Sequence, residues 1–419
     1  MTPDWLSLGA PHLWRPYTQM KTAAPPLAVV RAEGTRLYLA DGRTLIDGIA
    51  SWWTACHGYG HPHILAAIEA QLRTMPHVML GGLAHEQPYR LAARLAQLLP
   101  GDLDHVFFAE SGSVSVEVAM KMAVQYWLNR GERGRTRFLA FRGGYHGDTL
   151  AAMSVCDPEE GMHAHFQGAF PAQLIADLPR DGAGEAALEA LLARHAGEIA
   201  AILVEPLVQG AGGMLFHGPE VLARLRRLAD AHGLLLIFDE IFVGFGRTGG
   251  GLFACEAAGV TPDILTLSKA LTGGAAPLSA AIANRRVFEA FWSEEANAAL
   301  MHGPTYMGHA LGCAAANASL DVFERGEWRA QVARIAGWLE AGLAPCRGLP
   351  GVKEVRVMGA IGVVELERAP DLARLTARFV ARGCWIRPFG RIVYLTPAFV
   401  ASEEDIAKLT GAICDVLAG

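Results

Sequence analysis

Short apolar runs alternate with longer amphipathic stretches from about Pro62 to Met301. The apolar runs predict strands at His105–Ala109, Arg137–Phe141, Ala201–Val204, Leu234–Asp239 and Ile264–Leu267. The amphipathic stretches predict helices, among them Glu86–Leu98, Val114–Leu128, Glu185–His195 and Pro219–His232. Alternation of strands and helices over this length is typical of an α/β domain whose mainly parallel sheet is covered on both faces.

Beyond about residue 325 the pattern changes to strand-like segments that suggest hairpins. Val352–Glu367 and Cys384–Ala398 each predict a hairpin with a helical partner. Val29–Leu39, followed by a turn dipeptide Asp-Gly, resembles them. We therefore expect a small α+β domain built from both chain ends in addition to the large α/β domain. The expected boundaries are 1–55 for the N-terminal segment that joins the small domain, 56–320 for the large domain and 321–419 for the C-terminal part.

Composition and charge argue against several classes of protein, among them nucleic-acid-binding, membrane-spanning and secreted proteins. The chain has 419 residues, of which 52% are hydrophobic, and its formal charge of −6 argues against binding of nucleic acid or anionic membranes by bulk electrostatics. No apolar run approaches ~18 residues, so no membrane span is predicted, and no secretory signal pattern is apparent. The seven cysteines are scattered without a CxxC pair, which favours a reducing compartment, and we expect a cytoplasmic protein.

Small polar residues follow the first predicted strand of the large domain. Ser111, Gly112 and Ser113 stand at the start of the next helix, where free N–H groups and hydroxyls can form an anion pocket. An ordinary serine N-cap would use the same residues. A Walker-type nucleotide loop is excluded, because no lysine of the chain stands in a GxxxxGK[ST] motif.

Two glycine-rich segments are ambiguous when each is taken alone. Arg142–His146 follows a predicted strand, and its glycines either present Tyr145 to a ligand or form an ordinary turn. Gly244–Gly249 satisfies GxGxxG, but two more glycines stand where a dinucleotide-binding helix should begin. A tight active-site loop is the better interpretation, which leaves an NAD(P)-dependent oxidoreductase as a disfavoured alternative.

A carboxylate and an amine each lie at the end of a predicted strand. Asp239 could bind the metal of an ATPase, cap a helix or face a cationic cofactor. The ATPase interpretation is disfavoured, because the phosphate-binding loop that an ATPase requires is missing. Lys269 is one of only five lysines and follows the apolar strand Ile264–Leu267. Such a lysine is usually ion-paired or extended to solvent. Here an aldehyde-binding amine fits better, because desolvation lowers the pKa of a lysine and leaves the free amine.

Histidines, tryptophans and an arginine complete the candidates. The histidines of His57–His63 could suggest a metal, but no acidic or thiolate ligand has matching spacing, so we expect no metal site. Trp52 and Trp53 follow an apolar run, for which core packing is the default. Arg387 ends a predicted strand, where its planar guanidinium suits a carboxylate, although a surface salt bridge is the common alternative.

Together these groups match the requirements of pyridoxal 5'-phosphate. Its phosphate needs N–H donors, its ring a stacking face, its pyridine nitrogen a carboxylate and its aldehyde a lysine. The candidates for cofactor binding lie in the motifs SGSVSVEVAMKMA, FRGGYHGDT, DEIFVGFGRTG and LSKALTGG, and the chain also contains the motifs VEPLVQGAGGM and HGPTYMG. Through these motifs, and from Trp14 to the region of Arg387, the chain resembles class III aminotransferases of fold type I.

The resemblance implies a role for each cofactor-binding residue. Lys269 would bind the aldehyde and move a proton, Asp239 would pair with the pyridinium nitrogen, and Tyr145 would cover the ring. The phosphate would be held by Ser111, Gly112 and Ser113 and, from the neighbouring subunit, by Pro304 and Thr305. The resemblance therefore implies a homodimer with shared active sites. It also implies a seven-stranded, mainly parallel sheet in the large domain.

The resemblance further implies a substrate site, in which Arg387 grips the substrate carboxylate. The residues that would line it are Tyr17, Trp52, Trp53, Tyr145, Lys269, Gly303 and Arg387. Within the class, the chain is most similar to members that serve biotin biosynthesis. This implies transfer of the amino group of S-adenosyl-L-methionine to 8-amino-7-oxononanoate, which gives 7,8-diaminononanoate. The alternative within the class is another ω-aminotransferase, for example one that uses lysine as the amino donor.

Overall fold

The computed structural model describes residues 3–159, 164–166 and 168–419. The strands are β1 (Val29–Glu33), β2 (Arg36–Leu39), β3 (Thr44–Asp47), β4 (Leu103–Ala109), β5 (Arg137–Phe141), β6 (Leu174–Ala176), β7 (Ile199–Val204), β8 (Val208–Gln209), β9 (Leu215–Phe216), β10 (Leu235–Asp239), β11 (Ile264–Leu267), β12 (Ser279–Asn284), β13 (Val352–Met358), β14 (Ile361–Leu366), β15 (Cys384–Trp385) and β16 (Ile392–Leu395).

The helices are α1 (Asp4–Gly9), α2 (Ala50–Trp53), α3 (Pro62–Thr74), α4 (Glu86–Leu98), α5 (Gly112–Asn129), α6 (Leu150–Ser154), α7 (Gly182–His195), α8 (Pro219–Ala231), α9 (Ala254–Ala258), α10 (Arg285–Glu289), α11 (Ala310–Glu324), α12 (Glu327–Leu343), α13 (Leu372–Ala381) and α14 (Glu403–Ala418). Short 3-10 helices lie at Ala164–Phe166, Lys269–Thr272, Ala296–Ala298 and Ala344–Gly348. Among the described residues, no helix combines the length and the apolar character that crossing a bilayer requires.

The chain divides into two compact units. Unit 1 consists of the residues up to His61 together with Ala330–Gly419, so it contains both chain ends, and unit 2 is Pro62–Arg329. The large domain expected from the sequence, 56–320, begins before Pro62 and ends before Arg329. Residues 56–61 therefore belong to unit 1, and residues 321–329 belong to unit 2.

Unit 2 is built on a seven-stranded sheet with the order β4-β12-β11-β10-β7-β5-β6. β10 is parallel to β7 and β11, and β5 is parallel to β6 and β7. Only β12 runs against its neighbours, β11 and β4. The mainly parallel α/β fold is therefore confirmed. β12 was not among the strands proposed individually, because its alanine-rich sequence, SAAIAN, has little strand propensity.

The predicted strands and helices of unit 2 agree with the observed ones to within three residues at each end. The central strands are buried along their whole length, and residues of β7, β10 and β11 share one core with α5. Strands buried on both faces read as continuous apolar runs, which explains why the sequence revealed them. The largest difference is at α7, which begins at Gly182 because Asp181 caps it by accepting the N–H of Gly184 at 2.8 Å.

Unit 1 contains two small sheets, with the orders β1-β2-β3-β15 and β13-β14-β16. The hairpin predicted over Val352–Glu367 is confirmed, since β13 pairs with β14 antiparallel. The hairpin predicted over Cys384–Ala398 is wrong. β15 pairs parallel with β3, whereas β16 pairs antiparallel with β14, so the two strands lie in different sheets. Pro388, which has no N–H, and Gly390, with φ of 50°, interrupt the segment between them.

Candidate active site

Three ionisable side chains lie at the carboxyl ends of neighbouring parallel strands in unit 2. Glu205 follows β7, Asp239 ends β10, and Lys269 comes two residues after β11. Adjacent parallel strands end at the same edge of a sheet, which is where doubly wound folds bind ligands. Asp239 and Glu205 are buried, and Lys269 is half-buried. The structure therefore brings together Lys269 and Asp239, as predicted, and adds Glu205, to which the sequence analysis gave no role.

Lys269 begins a short 3-10 helix in a conformation that L-residues rarely adopt. Its φ is 38°, and Gly273 ends the helix with φ of 61°. Burial lowers the pKa of the Lys269 ammonium, although the negative charges of Asp239, Glu205 and Asp148 act in the opposite direction. The lowered pKa increases the fraction of free amine at neutral pH, and a free amine is the form that can attack an aldehyde.

Asp239 is held by hydrogen bonds on both carboxylate oxygens. Nδ1 of the buried His146 lies 2.8 Å from Oδ2. Oδ1 accepts a bond from the Thr266 hydroxyl at 3.1 Å and one from the Ile241 N–H at 3.2 Å. The contact with His146 was not predicted. The sequence does signal its loop, because His146 stands beside Tyr145 in a glycine-rich segment after β5, but it does not show which carboxylate that loop meets.

Glu205 anchors the backbone of the loop that carries Tyr145. Its carboxylate accepts the N–H of Tyr145 at 3.0 Å and the N–H of Gly210 at 2.9 Å. Burial raises the pKa of Glu205 to about 7, with the nearby His146 opposing the shift and the charge of Asp239 adding to it. At its other end, the Tyr145 hydroxyl donates to Asp148 at 2.8 Å. Tyr145 is thus fixed by its main chain and by its hydroxyl.

The residues for which the sequence predicted an anion cradle lie together at the N-terminus of α5. Ser111 caps the helix, and the Ser113 hydroxyl accepts the N–H of Asp148 at 3.0 Å. Gly147, with φ of 126°, lies so close that a Cβ there would be 2.3 Å from the Ser113 Oγ. Gly112 is also confined, because a Cβ there would lie 3.1 Å from Ile241. A helix N-terminus with small residues and hydroxyls suits a phosphate group.

Three of the predicted substrate residues form a cluster in unit 1. The guanidinium carbon of Arg387 lies 4.8 Å from the centre of the Trp52 ring, which is a cation–π arrangement. The Tyr17 ring meets Trp52 edge-on, with 6.3 Å between centroids. Trp53 is only 7% exposed and packs against Tyr394, so its ring lies in the interior of the unit.

Gly303, Pro304 and Thr305 lie in unit 2, on the segment between Ala296–Ala298 and α11. Gly303 and Thr305 are exposed. The Thr305 carbonyl is 3.1 Å from Nε2 of His77, which links this segment to the chain after α3.

The histidines of the HGYGHPH segment have ordinary partners. The rings of His57 and His61 are 5.9 Å apart, and Nε2 of His63 bonds the Asp321 carboxylate at 2.7 Å. Across the part of the chain that the structure describes, no group of three or more His, Cys, Asp or Glu side chains is arranged to hold a metal ion.

Comparisons with known proteins show which family this chain resembles. A family model for class-III aminotransferases matches residues 17–417. A relative from Mycobacterium leprae, named adenosylmethionine-8-amino-7-oxononanoate aminotransferase, is 47% identical over 99% of this chain and 97% of its own length. A solved structure of that name from Methanocaldococcus jannaschii has a TM-score of 0.94 at 31% identity, covering 99% of this chain and 98% of its own. An amine transaminase from an uncultivated Pseudomonas species, solved in its PLP-bound form, has a TM-score of 0.89 at 32% identity, covering 97% and 98%.

Proposed function

This chain belongs to the class-III aminotransferase family, and we propose that it transfers the amino group of S-adenosyl-L-methionine to 8-amino-7-oxononanoate. The product is 7,8-diaminononanoate, an intermediate of biotin biosynthesis. The observation that carries the proposal is the 47% identity to a relative named for these two substrates, over almost the full length of both chains. The fold by itself does not choose the substrate, since an amine transaminase of another name has a TM-score of 0.89.

The cofactor is pyridoxal 5'-phosphate, and the donor set in unit 2 fits it. When bound, it supplies an aldehyde for the amino group and a ring that accepts electrons from the reacting carbon. Asp239 would face the pyridine nitrogen, Tyr145 would cover the ring, and the start of α5 would take the phosphate. Asp239 is already oriented by His146, and a Cβ at Gly147 would fill the space beside Ser113.

Lys269 and Asp239 handle the protons of the reaction. The lowered pKa of Lys269 gives its Nζ a free electron pair, with which it would act first as a nucleophile toward the cofactor aldehyde and then as a base. As a base it would take the proton from the Cα of the amino donor and deliver it to the aldehyde carbon of the cofactor, and in the second half-reaction it would move a proton the opposite way, to the acceptor carbon that receives the amino group. Asp239, held by its hydrogen bond with His146, would face the pyridine nitrogen and keep a proton there. Glu205 fixes the backbone of Tyr145 by accepting its N–H, so that the ring stays in place during both half-reactions.

We assign the substrate carboxylate to Arg387. Its guanidinium offers a planar pair of donors, and its stacking on Trp52 limits the directions in which it can point. Tyr17 and Trp52 supply aromatic surface for an adenine or an alkyl chain, whereas Trp53 is too deeply buried to do so. Because transamination is a ping-pong reaction, one set of residues serves both substrates in turn.

The half-reactions of the purified holoenzyme test this function. S-adenosyl-L-methionine alone should bleach the absorbance of the bound cofactor, and 8-amino-7-oxononanoate should then restore it and yield 7,8-diaminononanoate by mass. Lys269→Ala should abolish both changes, whereas Lys408→Ala, at an exposed position of α14, should leave them intact. Bleaching by lysine but not by S-adenosyl-L-methionine would replace the proposed donor and favour the alternative ω-aminotransferase.

We propose in addition that the protein is a cytoplasmic homodimer in which Pro304 and Thr305 reach the phosphate bound by the partner subunit. Large apolar side chains on and near this segment support an interface, because Trp292 is 79%, Met301 69% and Tyr306 53% exposed. Co-expressed Lys269→Ala and Thr305→Ala chains would form hybrid dimers in which one site has both residues. Such hybrids should be active at limiting cofactor, where each parent variant is not. Hybrids no more active than their parents would contradict shared sites.

A further inference from the structure

The backbone of α2 is left-handed. Its four residues, Ala50, Ser51, Trp52 and Trp53, have φ values of 44°, 48°, 54° and 72°. The N–H groups of Trp53 and Thr54 bond the carbonyls of Ile49 and Ala50, which closes a single left-handed turn. None of the four residues is glycine, so each carries the steric conflict between Cβ and backbone that normally prevents this conformation. A strained segment persists only where its surroundings hold it, and such segments cluster at functional sites.

A buried carboxylate holds this turn. Asp47, at the end of β3, accepts the N–H of Ile49 and the N–H of Ser51, each at 2.9 Å. The Tyr59 hydroxyl donates to the same carboxylate at 2.5 Å. Because its proton is used there, that hydroxyl accepts from the Ser51 hydroxyl, 2.7 Å away. Asp47 is 2% exposed, and burial raises its pKa, so the carboxylate depends on these donors to stay charged.

The turn determines where the Trp52 ring lies. Trp52 is half-buried, and its indole contacts the Arg387 guanidinium on one face and the Tyr17 ring at an edge. A right-handed turn at the same place would send the Trp52 side chain in another direction, since the backbone sets the direction of each Cα–Cβ bond. The cation–π contact between Trp52 and Arg387 therefore depends on the left-handed backbone.

We propose that Asp47 and Tyr59 are positioning residues for substrate binding: they hold Ala50–Trp53 in its left-handed turn and thereby keep the Trp52 indole against the Arg387 guanidinium. The inference rests on the proposed function, because it takes Arg387 as the group that binds the substrate carboxylate. Neither residue needs to touch the substrate. Their effect is on the affinity of the site and not on the chemical step, which the residues of unit 2 perform.

Tyr59→Phe tests the proposal, because it removes one hydroxyl and keeps the ring that packs with Ala50 and Ala55. We expect KM for both substrates to rise about tenfold, while kcat stays within twofold and the cofactor spectrum is unchanged. Tyr38→Phe, in β2 of the same unit, is the matched control and should change none of these values. An unchanged KM in folded Tyr59→Phe enzyme would overturn the proposal, and so would a loss confined to kcat.

A second variant distinguishes a loss of positioning of Trp52 from a general disturbance of the fold. Ser51 is exposed, and in the Tyr59→Phe enzyme its hydroxyl no longer has the hydrogen bond with the Tyr59 hydroxyl. Ser51→Gly in that background therefore chiefly relieves the steric strain of the left-handed backbone. The double variant should recover most of the lost substrate affinity, since glycine adopts the left-handed turn more readily than serine and needs the hydrogen bond of Tyr59 less. A KM that stays at the value of Tyr59→Phe alone would contradict the route through the turn.

Fluorescence gives a readout that needs neither substrate nor turnover. The emission of Trp52 is obtained by subtracting the spectrum of Trp52→Phe from that of its parent, in the wild-type and in the Tyr59→Phe background. Release from Arg387 and Tyr17 should shift the difference spectrum to longer wavelength in Tyr59→Phe, and Ser51→Gly should reverse the shift. Identical difference spectra would overturn the proposal. If the wild-type enzyme rejects S-adenosyl-L-methionine, the proposed function fails, whereas this spectral shift still decides the role of Asp47 and Tyr59.

Discussion

At the scale of the residue, the charge of Asp239 is separable from its shape. Asp239→Asn keeps the size of the side chain, and its Oδ1 can still accept from Thr266 and Ile241. The amide has no negative charge with which to hold a proton on the pyridine nitrogen. We expect the rate of the half-reaction with S-adenosyl-L-methionine to fall by about 10²–10⁴, a typical effect of losing such a group. Stopped-flow absorbance measures this rate, and a loss below tenfold would contradict the assigned role.

His146 should act only through Asp239. His146→Ala removes the bond at 2.8 Å and frees one carboxylate oxygen, so we expect kcat/KM to fall about 10–100-fold, as for residues that orient a functional group. In Asp239→Asn enzyme the same substitution should cost much less, because the charge it orients is gone. A double-mutant cycle of kcat/KM measures the coupling. Additive losses would show that His146 has a separate function.

Some site residues could be predicted from the sequence, because their residue type and position along the chain already suggest a chemical role. Lys269 stood out because only five lysines occur, and Asp239 because a carboxylate at the end of a buried strand requires a partner. His146, Glu205 and Asp47 were not assigned roles. Their importance comes from the atoms they meet, and those atoms belong to other loops and strands. Such contacts depend on the folded chain and leave no local pattern.

At the scale of the element, the loop after β5 and the start of α5 fit closely at Gly147. Gly147→Ala would place a Cβ 2.3 Å from the Ser113 Oγ and would add backbone strain at φ of 126°. Ser113 must move, which would distort the proposed phosphate site, so we expect the affinity for pyridoxal 5'-phosphate to fall at least tenfold. Fluorescence titration of the apoenzyme measures it.

Gly131→Ala is the matched control for this substitution. Gly131 follows α5 with φ of 85°, and a Cβ there would meet nothing within 4 Å, so it shares the backbone strain without the collision. It should lower stability and leave cofactor affinity within twofold. Equal losses of affinity in the two variants would show that strain alone, and not the contact with Ser113, is responsible.

The elements themselves were predictable where burial sets the pattern. The runs that became β5 and β11 were placed at their observed bounds, because strands buried on both faces are apolar throughout. The segment Cys384–Ala398 was assigned a hairpin, although its strands join β3 and β14. The alternation of apolar and polar residues indicates that a segment forms a strand, but it does not indicate with which strand that segment pairs. Pairing is decided by residues far away in sequence.

At the scale of the whole molecule, several buried carboxyl groups should make stability depend on pH. Burial raises the pKa of Glu205 and of Glu240, each to about 7, and raises that of Asp47 as well. Such a group binds a proton more tightly in the folded than in the unfolded chain, so its contribution to stability falls as the pH rises between the two pKa values. Burial lowers the pKa of His217, so the contribution of this histidine to stability rises with pH in the range just below pH 6.5. The total profile therefore mixes both signs, and single variants are needed to separate them.

Glu240 gives the clearest case, because it lies outside the group formed by Lys269, Asp239 and Glu205. It is 0% exposed, and its carboxylate accepts the N–H groups of Ala254 and Cys255 at 2.7 and 2.8 Å at the start of α9. Its pKa rises from 4.5 to about 7, so ionisation over this interval should destabilise the folded state by about 1.4 kcal/mol per pH unit, or about 3 kcal/mol in all.

Glu240→Gln resembles the protonated side chain at every pH and removes this contribution. The melting temperature of the wild type, measured relative to that of Glu240→Gln, should therefore be highest near pH 5, should decline up to about pH 7 and should then level off towards pH 8. Glu289→Gln, at an exposed position of α10, is the control and should follow the wild-type curve in parallel. If the curves of Glu240→Gln and wild type are parallel too, Glu240 does not change its protonation between pH 5 and 8. The pH dependence of folding would then have to originate from Glu205, Asp47 and the histidines.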